Sequence, residues 1–202
     1  MHGTLFPGSK ECVVDNVEAR PLPNRDYVIG WIPARLDEKS TLLVYDSDKN
    51  TVVHFERTPA ENQITRVRKL SDDFEAMVKV FNDGYDEAIL KAAEHKGVWV
   101  RRIKFTPQER AAANENLGML IRKRVISYPD IPELIAELDV FKSDFTYSGV
   151  PDYSLQVAQQ SAIQALCLVT YKVDPEEPIP LDLIYYNYDP DLLDWLHGRD
   201  EM

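Results

Sequence analysis

The order of the apolar patterns along the chain constrains the possible fold more than any single motif does. Three β-rich runs come first, at residues 27–32, 40–48 and 51–57. The second and third runs are joined by Asp48, Lys49 and Asn50, residue types that favour a tight hairpin turn. The sequence therefore predicts an antiparallel β-meander near the start of the chain.

After the meander, helical and strand patterns alternate. Residues 61–73 and 85–96 have helical spacing, and each is followed by a short apolar run, at 76–81 and 98–105. Thr106 and Pro107 have the residue types of an N-cap and first helical position, and predict a third helix to about residue 124. Two more helices are predicted after it, the last at about residues 157–169. We therefore expect an α/β protein with a central mixed sheet and flanking helices.

Length and composition favour one soluble domain with a segment at each end. The chain has 202 residues, of which 44% are hydrophobic and 28% charged, proportions typical of globular domains. The predicted divisions are an extended N-terminal arm at 1–26, laid on the surface of the domain, a domain at 27–173 and an acidic, aromatic tail at 174–202. No apolar run is long enough to span a bilayer and no signal peptide is recognisable, so we expect a cytoplasmic protein.

Charge and cysteine content restrict the classes of function. A formal net charge of -11 disfavours tight binding to nucleic acid, because that affinity comes largely from Lys and Arg at phosphates. Weak DNA contacts are predicted only for two short basic clusters: Arg101, Arg102 and Lys104, and Arg122, Lys123 and Arg124. Cys12 and Cys167 define neither a disulfide framework nor a zinc site. No ATPase motif is present.

Several segments in a fixed order resemble a known family. They are YVIGW, VVHFERTP, VKVFNDGYDEAIL, IKFTPQER and the run SYPDIPELIAELDVFKSDFTYSG that leads into QQSAIQALCLV. Their amino-acid sequences and spacing, over about residues 3–173, resemble the C-terminal nuclease domain of the large subunit of phage terminases, the DNA-packaging motors. The resemblance implies an RNase H-like fold.

The resemblance also implies a metal-dependent nuclease centre, and here the sequence departs from the family. Such domains hold divalent cations with acids at the ends of two strands and at the start of the last helix, where the cations activate water and neutralise the leaving oxygen. The matching positions are Ile32, Phe81, Gln160 and Ser161, none of which is acidic. We therefore expect no catalytic or metal-binding residues, no cofactor, and a pseudoenzyme.

An alternative interpretation keeps the nuclease active with Mg²⁺ or Mn²⁺. Acids near the vacated positions could replace the missing ligands if the alignment is shifted: Asp37, Asp83, Asp86 and Asp152. Asp and Asn beside glycine also favour turns and helix caps through local hydrogen bonds. We favour that structural role for these acids.

The resemblance and the composition of the tail together suggest protein partners. Tyr185, Tyr186, Tyr188 and Trp195 lie among acids, a mixture suited to a protein interface or to packing on the chain's own domain. A packaging ATPase, a portal or a second copy of the chain are the predicted partners, and no membrane contact is expected.

Overall fold

The computed structural model describes residues 5–15, 17–34, 38–82, 87–141, 144–145, 151–152 and 161–175, with the backbone alone at 144–145 and 151–152. The strands in chain order are β1 (Tyr27–Ile32), β2 (Lys39–Asp46), β3 (Thr51–Pro59), β4 (Met77–Phe81), β5 (Val100–Ile103), β6 (Asp144–Phe145) and β7 (Pro151–Asp152). The α-helices are α1 (Gln63–Phe74), α2 (Glu87–His95), α3 (Pro107–Arg122), α4 (Pro132–Val140) and α5 (Ser161–Thr170).

The central sheet has five strands in the order β3-β2-β1-β4-β5. β1, β2 and β3 form the antiparallel meander, whereas β4 and β5 join β1 in parallel. Strands β6 and β7 form a separate two-stranded sheet. The predicted α/β class and mixed sheet are confirmed, and the carboxyl ends of β1 and β4 lie at the same edge.

Helices cover both faces of the sheet. One apolar cluster contains Val67 and Leu70 of α1 and Leu90 of α2, packed against residues such as Ile29 and Val78. The other cluster joins α3, α4 and α5 to the opposite face, where Val28, Ile32 and Phe81 lie. Alternate residues of β1 and β4 therefore contribute to two cores, as the period of a β-strand requires.

Most element boundaries follow from local chemistry. Thr106 caps α3 by accepting a hydrogen bond from the Glu109 amide, and the Glu109 carboxylate accepts one from the Thr106 amide. Strand β2 ends at Asp46, earlier than predicted, because that side chain accepts hydrogen bonds from the amides of Asp48 and Lys49 in the turn. Strand β5 begins late because the Val98 amide still bonds to the Ala93 carbonyl at the end of α2.

Helix α5 lies unusually close to the sheet. All of its residues from Ala162 to Thr170 except Gln164 are buried, which is typical of a helix enclosed by its own protein. A Cβ atom built on Gly30 of β1 would lie 2.4 Å from the Ala165 carbonyl oxygen. Glycine at position 30 is therefore what allows α5 to rest on β1.

The N-terminal arm contributes more than a surface covering. Residues Ser9–Cys12 form a 3₁₀-helix, and Phe6 and Cys12 are buried in the same core cluster as α3, α4 and α5. The Cys12 thiol donates a hydrogen bond to the Ile121 carbonyl. The arm was predicted to lie on the surface of the domain, and the burial of Phe6 and Cys12 corrects this. The spacing of its apolar residues gives no local periodicity from which this could be recognised.

The structure bears only in part on two further expectations, which concern a membrane span and the tail. Within the described residues, no helix combines the length and the apolar character needed to cross a lipid bilayer. The tail at 174–202 lies almost entirely outside the described residues, so its predicted interface stays a prediction.

Candidate functional site

The sheet brings two of the predicted site positions together. Ile32 is the last residue of β1 and Phe81 is the last residue of β4. These strands are parallel neighbours, with Gly30 opposite Lys79, so their ends lie side by side. Ile32 and Phe81 are 7% and 5% exposed and belong to one apolar cluster.

Helix α5 places a third position at this edge. Ser161 begins α5, and its hydroxyl oxygen lies 2.7 Å from Oγ1 of Thr41 on β2. Thr41 is the register partner of Ile32. The structure thus gathers Ile32, Phe81 and Ser161 at one edge of the sheet, whereas Gln160 lies outside the described residues.

Aromatic side chains fill the space beside Phe81. The Phe81 ring lies 5.6 Å from Phe105, which lies 5.3 Å from Tyr171. The Arg110 guanidinium lies 5.2 Å from the centroid of the Phe81 ring. A cleft of about 310 Å³, open solvent included, adjoins these rings, and Ile163 and Cys167 of α5 contribute to its wall.

One carboxylate does reach the start of α5, but it comes from α4. Oε2 of Glu137 accepts hydrogen bonds from the amides of Ala162 at 2.9 Å and Ile163 at 3.1 Å. Oε1 of the same carboxylate accepts a hydrogen bond from the Arg57 guanidinium of β3. Both carboxylate oxygens are therefore occupied, one by the helix N-terminus and one by a cation of the protein.

Burial has the largest influence on the pKa of the Glu137 carboxyl. The surrounding side chains raise the pKa of its carboxyl above the ordinary value by excluding water, although the Ile163 and Ala162 amides and the positive charge of Arg57 oppose this shift. The hydrogen bonds from the Ala162 and Ile163 amides hold this carboxyl as a cap at the start of α5.

Three residues at this edge were not predicted from the sequence: Glu137, Arg57 and Thr41. One signal for Glu137 was present, because it lies three residues after Leu134 and four before Phe141, and so falls within the buried stripe of α4. No comparable signal marked Arg57 or Thr41, which reach the site only through the pairing of β2 with β3 and β1.

The donor atoms that the described residues offer at this edge do not fit a divalent cation. Ile32 and Phe81 have no ligand atom, Ser161 supplies one neutral hydroxyl, and the Glu137 oxygens are engaged. Mg²⁺ and Mn²⁺ require several oxygen ligands, usually including carboxylates. Nowhere in the part of the chain that the structure describes do three or more His, Cys, Asp or Glu side chains gather closely enough to hold a metal.

The alternative ligands cannot be placed in the same way. Asp37, Asp83 and Asp86 lie outside the described residues, and of Asp152 only the backbone is described, in β7. Their proposed use as displaced ligands stays a prediction.

The predicted nucleic-acid contacts fall into two groups. Arg102 donates hydrogen bonds to Glu87 and Glu94, and Arg124 to Glu11, so these two guanidinium groups are held by acids of the protein. The remaining members are exposed and lie in or near β5 and at the end of α3: Arg101, Lys104, Arg122 and Lys123. Arg102 and Arg124 are therefore less suited to a phosphate contact than the sequence suggested.

Comparisons with known proteins place the fold. No protein-family model matches the chain, and no curated protein matches it. Among solved structures, the large terminase nuclease from thermophilic phage G20c is similar, with a TM-score of 0.72 and 20% identity over 86% of this chain and 100% of that one. The fold is that of a large terminase nuclease domain.

Two further structures agree with this assignment. The nuclease domain of the Thermus phage P74-26 large terminase has a TM-score of 0.68 and 22% identity over 83% of this chain and 94% of that one. The large terminase of another thermophilic bacteriophage has a TM-score of 0.59 and 14% identity over 82% of this chain and 45% of its own. The predicted RNase H-like terminase nuclease fold is confirmed.

The G20c nuclease has also been solved with bound magnesium, cobalt and zinc. The present chain has the same fold, but the donor atoms that it offers at the described edge do not fit such an ion.

Proposed function

We propose that this chain is a catalytically inactive terminase-type nuclease domain, acting in viral DNA packaging, or derived from it, through protein contacts or weak DNA contacts. The observation that carries the proposal is the chemistry of the edge where β1, β4 and α5 meet. Apolar side chains stand at two of its positions and a neutral hydroxyl at the third. Phosphodiester hydrolysis by metals needs charged oxygen ligands at such positions.

The Glu137–Arg57 pair supports the proposal independently of the alignment. A carboxylate that accepts two backbone hydrogen bonds and one from a guanidinium has little capacity left for a cation. The positive charge of Arg57 also repels an incoming divalent ion. A cation of the protein itself thus neutralises the acid beside the start of α5.

The competing function is a divalent-metal-dependent DNA endonuclease that uses Asp37, Asp83, Asp86 or Asp152. This function is supported by the sequence positions of two of these acids, because Asp83 and Asp86 follow β4 by only a few residues. If these acids bind metal, changing them to Asn must abolish both metal binding and cleavage.

The deciding experiment is calorimetric titration of Mn²⁺ into metal-free protein, alongside a cleavage assay on supercoiled plasmid. We expect no saturable binding and no nicking. Saturable binding with cleavage that disappears in an Asp83→Asn, Asp86→Asn double variant would establish the competing function. A matched Asp72→Asn, Asp73→Asn variant, altered at the exposed end of α1, controls for lost negative charge.

The partner assignment is tested separately. We propose a cytoplasmic protein that contacts a packaging ATPase, a portal or a second copy of itself. Sedimentation of the chain alone reports self-association, and co-sedimentation with a purified phage ATPase or portal reports the other two. A chain that remains monomeric and binds neither protein would contradict this assignment.

A further inference from the structure

A buried lysine lies on the same strand as Phe81, outside the edge described above. Lys79 of β4 is 7% exposed and faces the cluster that contains α5. Its ammonium group lies 5.1 Å from the centroid of the Tyr171 ring, just beyond the end of α5. Within the described residues this ammonium group takes part in no hydrogen bond and no ion pair. A buried ammonium group without an anion is unfavourable and therefore unusual.

Two more cations stand beside Lys79. Arg101 is its register partner on β5, and Nζ of Lys172 lies 5.7 Å from the same Tyr171 ring. Both side chains are exposed, and across the part of the chain that the structure describes neither is joined to an acid. Lys79 and Lys172 therefore lie against one aromatic ring, Arg101 lies beside Lys79, and among the described residues no acid is paired with any of the three.

This arrangement differs from that of several arginines elsewhere in the protein. Acids outnumber Lys and Arg by 34 to 23, and Arg57, Arg66 and Arg102 each bind a Glu side chain. Burial, followed by the charges of Arg101 and Lys172, lowers the pKa of Lys79 to about 8, whereas Asp26 acts in the opposite direction. Among the described residues, a group of cations is thus left without a paired acid at one location, where an external anion would compensate them.

The chain presents an exposed aromatic side chain close in sequence to Arg101. Trp99 is 71% exposed and precedes Arg101 by two residues, the spacing that places side chains on one side of an extended chain. Its carbonyl accepts a hydrogen bond from the Val78 amide, so this residue continues the pairing of β5 with β4. An exposed indole next to cations is suited to stacking on a nucleobase.

We propose that Lys79, Arg101 and Lys172 form a phosphate-binding site around Tyr171, with Trp99 as a stacking surface for the base attached to that phosphate. The ligand class is a nucleotide phosphate, either within a single strand of nucleic acid or in a free nucleotide. The inference does not rest on the proposed loss of nuclease activity, because binding at this site needs neither a metal nor cleavage.

The test measures binding of the full-length protein in EDTA, so that metal chemistry plays no part. A fluorescein-labelled oligothymidylate is titrated by anisotropy, and thymidine monophosphate and inorganic phosphate serve as competitors. The variants are Lys79→Met, Arg101→Gln, Lys172→Gln and Trp99→Ala. Lys69→Gln is the matched control, because Lys69 is an exposed cation of α1, which packs on the other face of the sheet.

We expect each of the three cation variants to weaken oligonucleotide binding about tenfold and to reduce the salt dependence by about one phosphate contact. Trp99→Ala should weaken oligonucleotide and mononucleotide binding about tenfold and leave competition by inorganic phosphate unchanged. Lys69→Gln should match the unaltered protein. Binding of thymidine monophosphate as tight as that of the oligonucleotide would assign the site to free nucleotides. Much tighter binding of the oligonucleotide would assign it to a single strand.

Two results would overturn the inference. The first is an unaltered protein that binds neither the oligonucleotide in the anisotropy titration nor thymidine monophosphate or inorganic phosphate in a calorimetric titration. The second is an unchanged affinity in both Arg101→Gln and Lys172→Gln. Both substitutions are at exposed positions, so these variants are expected to fold normally. Neither result depends on whether Mn²⁺ binding or plasmid cleavage is observed.

Discussion

Lys79 shows how one residue can oppose the stability of the fold that contains it. Its pKa is lowered to about 8 from the ordinary value of 10.5, with burial as the largest cause. At neutral pH the protein therefore keeps a charged group where water is scarce. Such groups are commonly retained for binding rather than for stability.

The first prediction concerns Lys79→Met. Between about pH 8 and pH 10.5 the unfolded chain holds the Lys79 proton and the folded protein does not, so stability should rise with pH across that window. Methionine removes the buried charge at similar length, and at pH 7 it should raise the free energy of unfolding by roughly 1–3 kcal/mol.

Urea denaturation at pH 7 and pH 10, without phosphate, measures the effect. The difference between Lys79→Met and the unaltered protein should shrink at the higher pH. Lys69→Gln provides the comparison at an exposed lysine. A variant less stable than the unaltered protein at pH 7 would mean that Lys79 is neutralised by a partner in the folded protein.

The second prediction concerns Glu137. Its removal leaves the amides of Ala162 and Ile163 without their acceptor and Arg57 without its anion. We expect Glu137→Ala to lower the free energy of unfolding by about 2–3 kcal/mol. The control is Glu133→Ala on an exposed position of the same helix, expected to cost less than about 0.5 kcal/mol. Equal losses in urea denaturation would show that Glu137 is not a cap.

At the scale of elements, the approach of α5 to β1 determines the geometry of the candidate site. The helix carries Ser161 at one end and leads to Tyr171 and Lys172 at the other, so its placement affects both the apolar edge and the cationic group. Gly30 sets this placement, because any side chain there would meet the backbone of α5.

The third prediction compares two glycines. Gly30→Ala should destabilise the protein by about 2–3 kcal/mol or more, because the new methyl group would meet the Ala165 carbonyl and displace α5. Gly97→Ala should cost only about 1 kcal/mol, because Gly97 has a positive φ of 84° but open space around it.

Two measurements separate these effects. Urea denaturation gives the free energies, and near-ultraviolet circular dichroism reports on Trp31, which is fully buried beside Gly30. Only Gly30→Ala should alter the dichroism signal. A Gly30→Ala variant with unaltered signal and stability would show that α5 can move away at no cost.

For the whole molecule, the proposed loss of the metal centre has a thermodynamic consequence. A ligand that binds only the folded state raises stability by about 2.7 kcal/mol at a hundredfold excess over its dissociation constant. In a protein of this size that corresponds to an increase in Tm of roughly 5–10 °C.

The fourth prediction is that Mn²⁺ or Mg²⁺ changes Tm by less than about 1 °C relative to EDTA. Differential scanning calorimetry measures this directly, and a monovalent salt of equal ionic strength controls for screening of the net charge of -11. A metal-specific increase of several degrees would contradict the proposed absence of the centre.

The elements of this fold were largely predictable because their signals are local. The meander and the Thr106 cap depend on residues a few positions apart, and the structure confirms them with small shifts at their ends. The N-terminal arm was not predictable in this way, since Phe6 and Cys12 enter the core through contacts with distant helices.

The same distinction applies to function. The sequence by itself determined that the four matching positions, Ile32, Phe81, Gln160 and Ser161, hold no acidic residue, because residue identity needs no coordinates. Only the tertiary structure decided what stands there instead. Glu137 meets Arg57 across 80 residues and Ala162 across 25, and Lys79 meets Lys172 around Tyr171. Such encounters arise from sheet register and helix packing, which place distant side chains together without leaving a pattern in the neighbouring sequence.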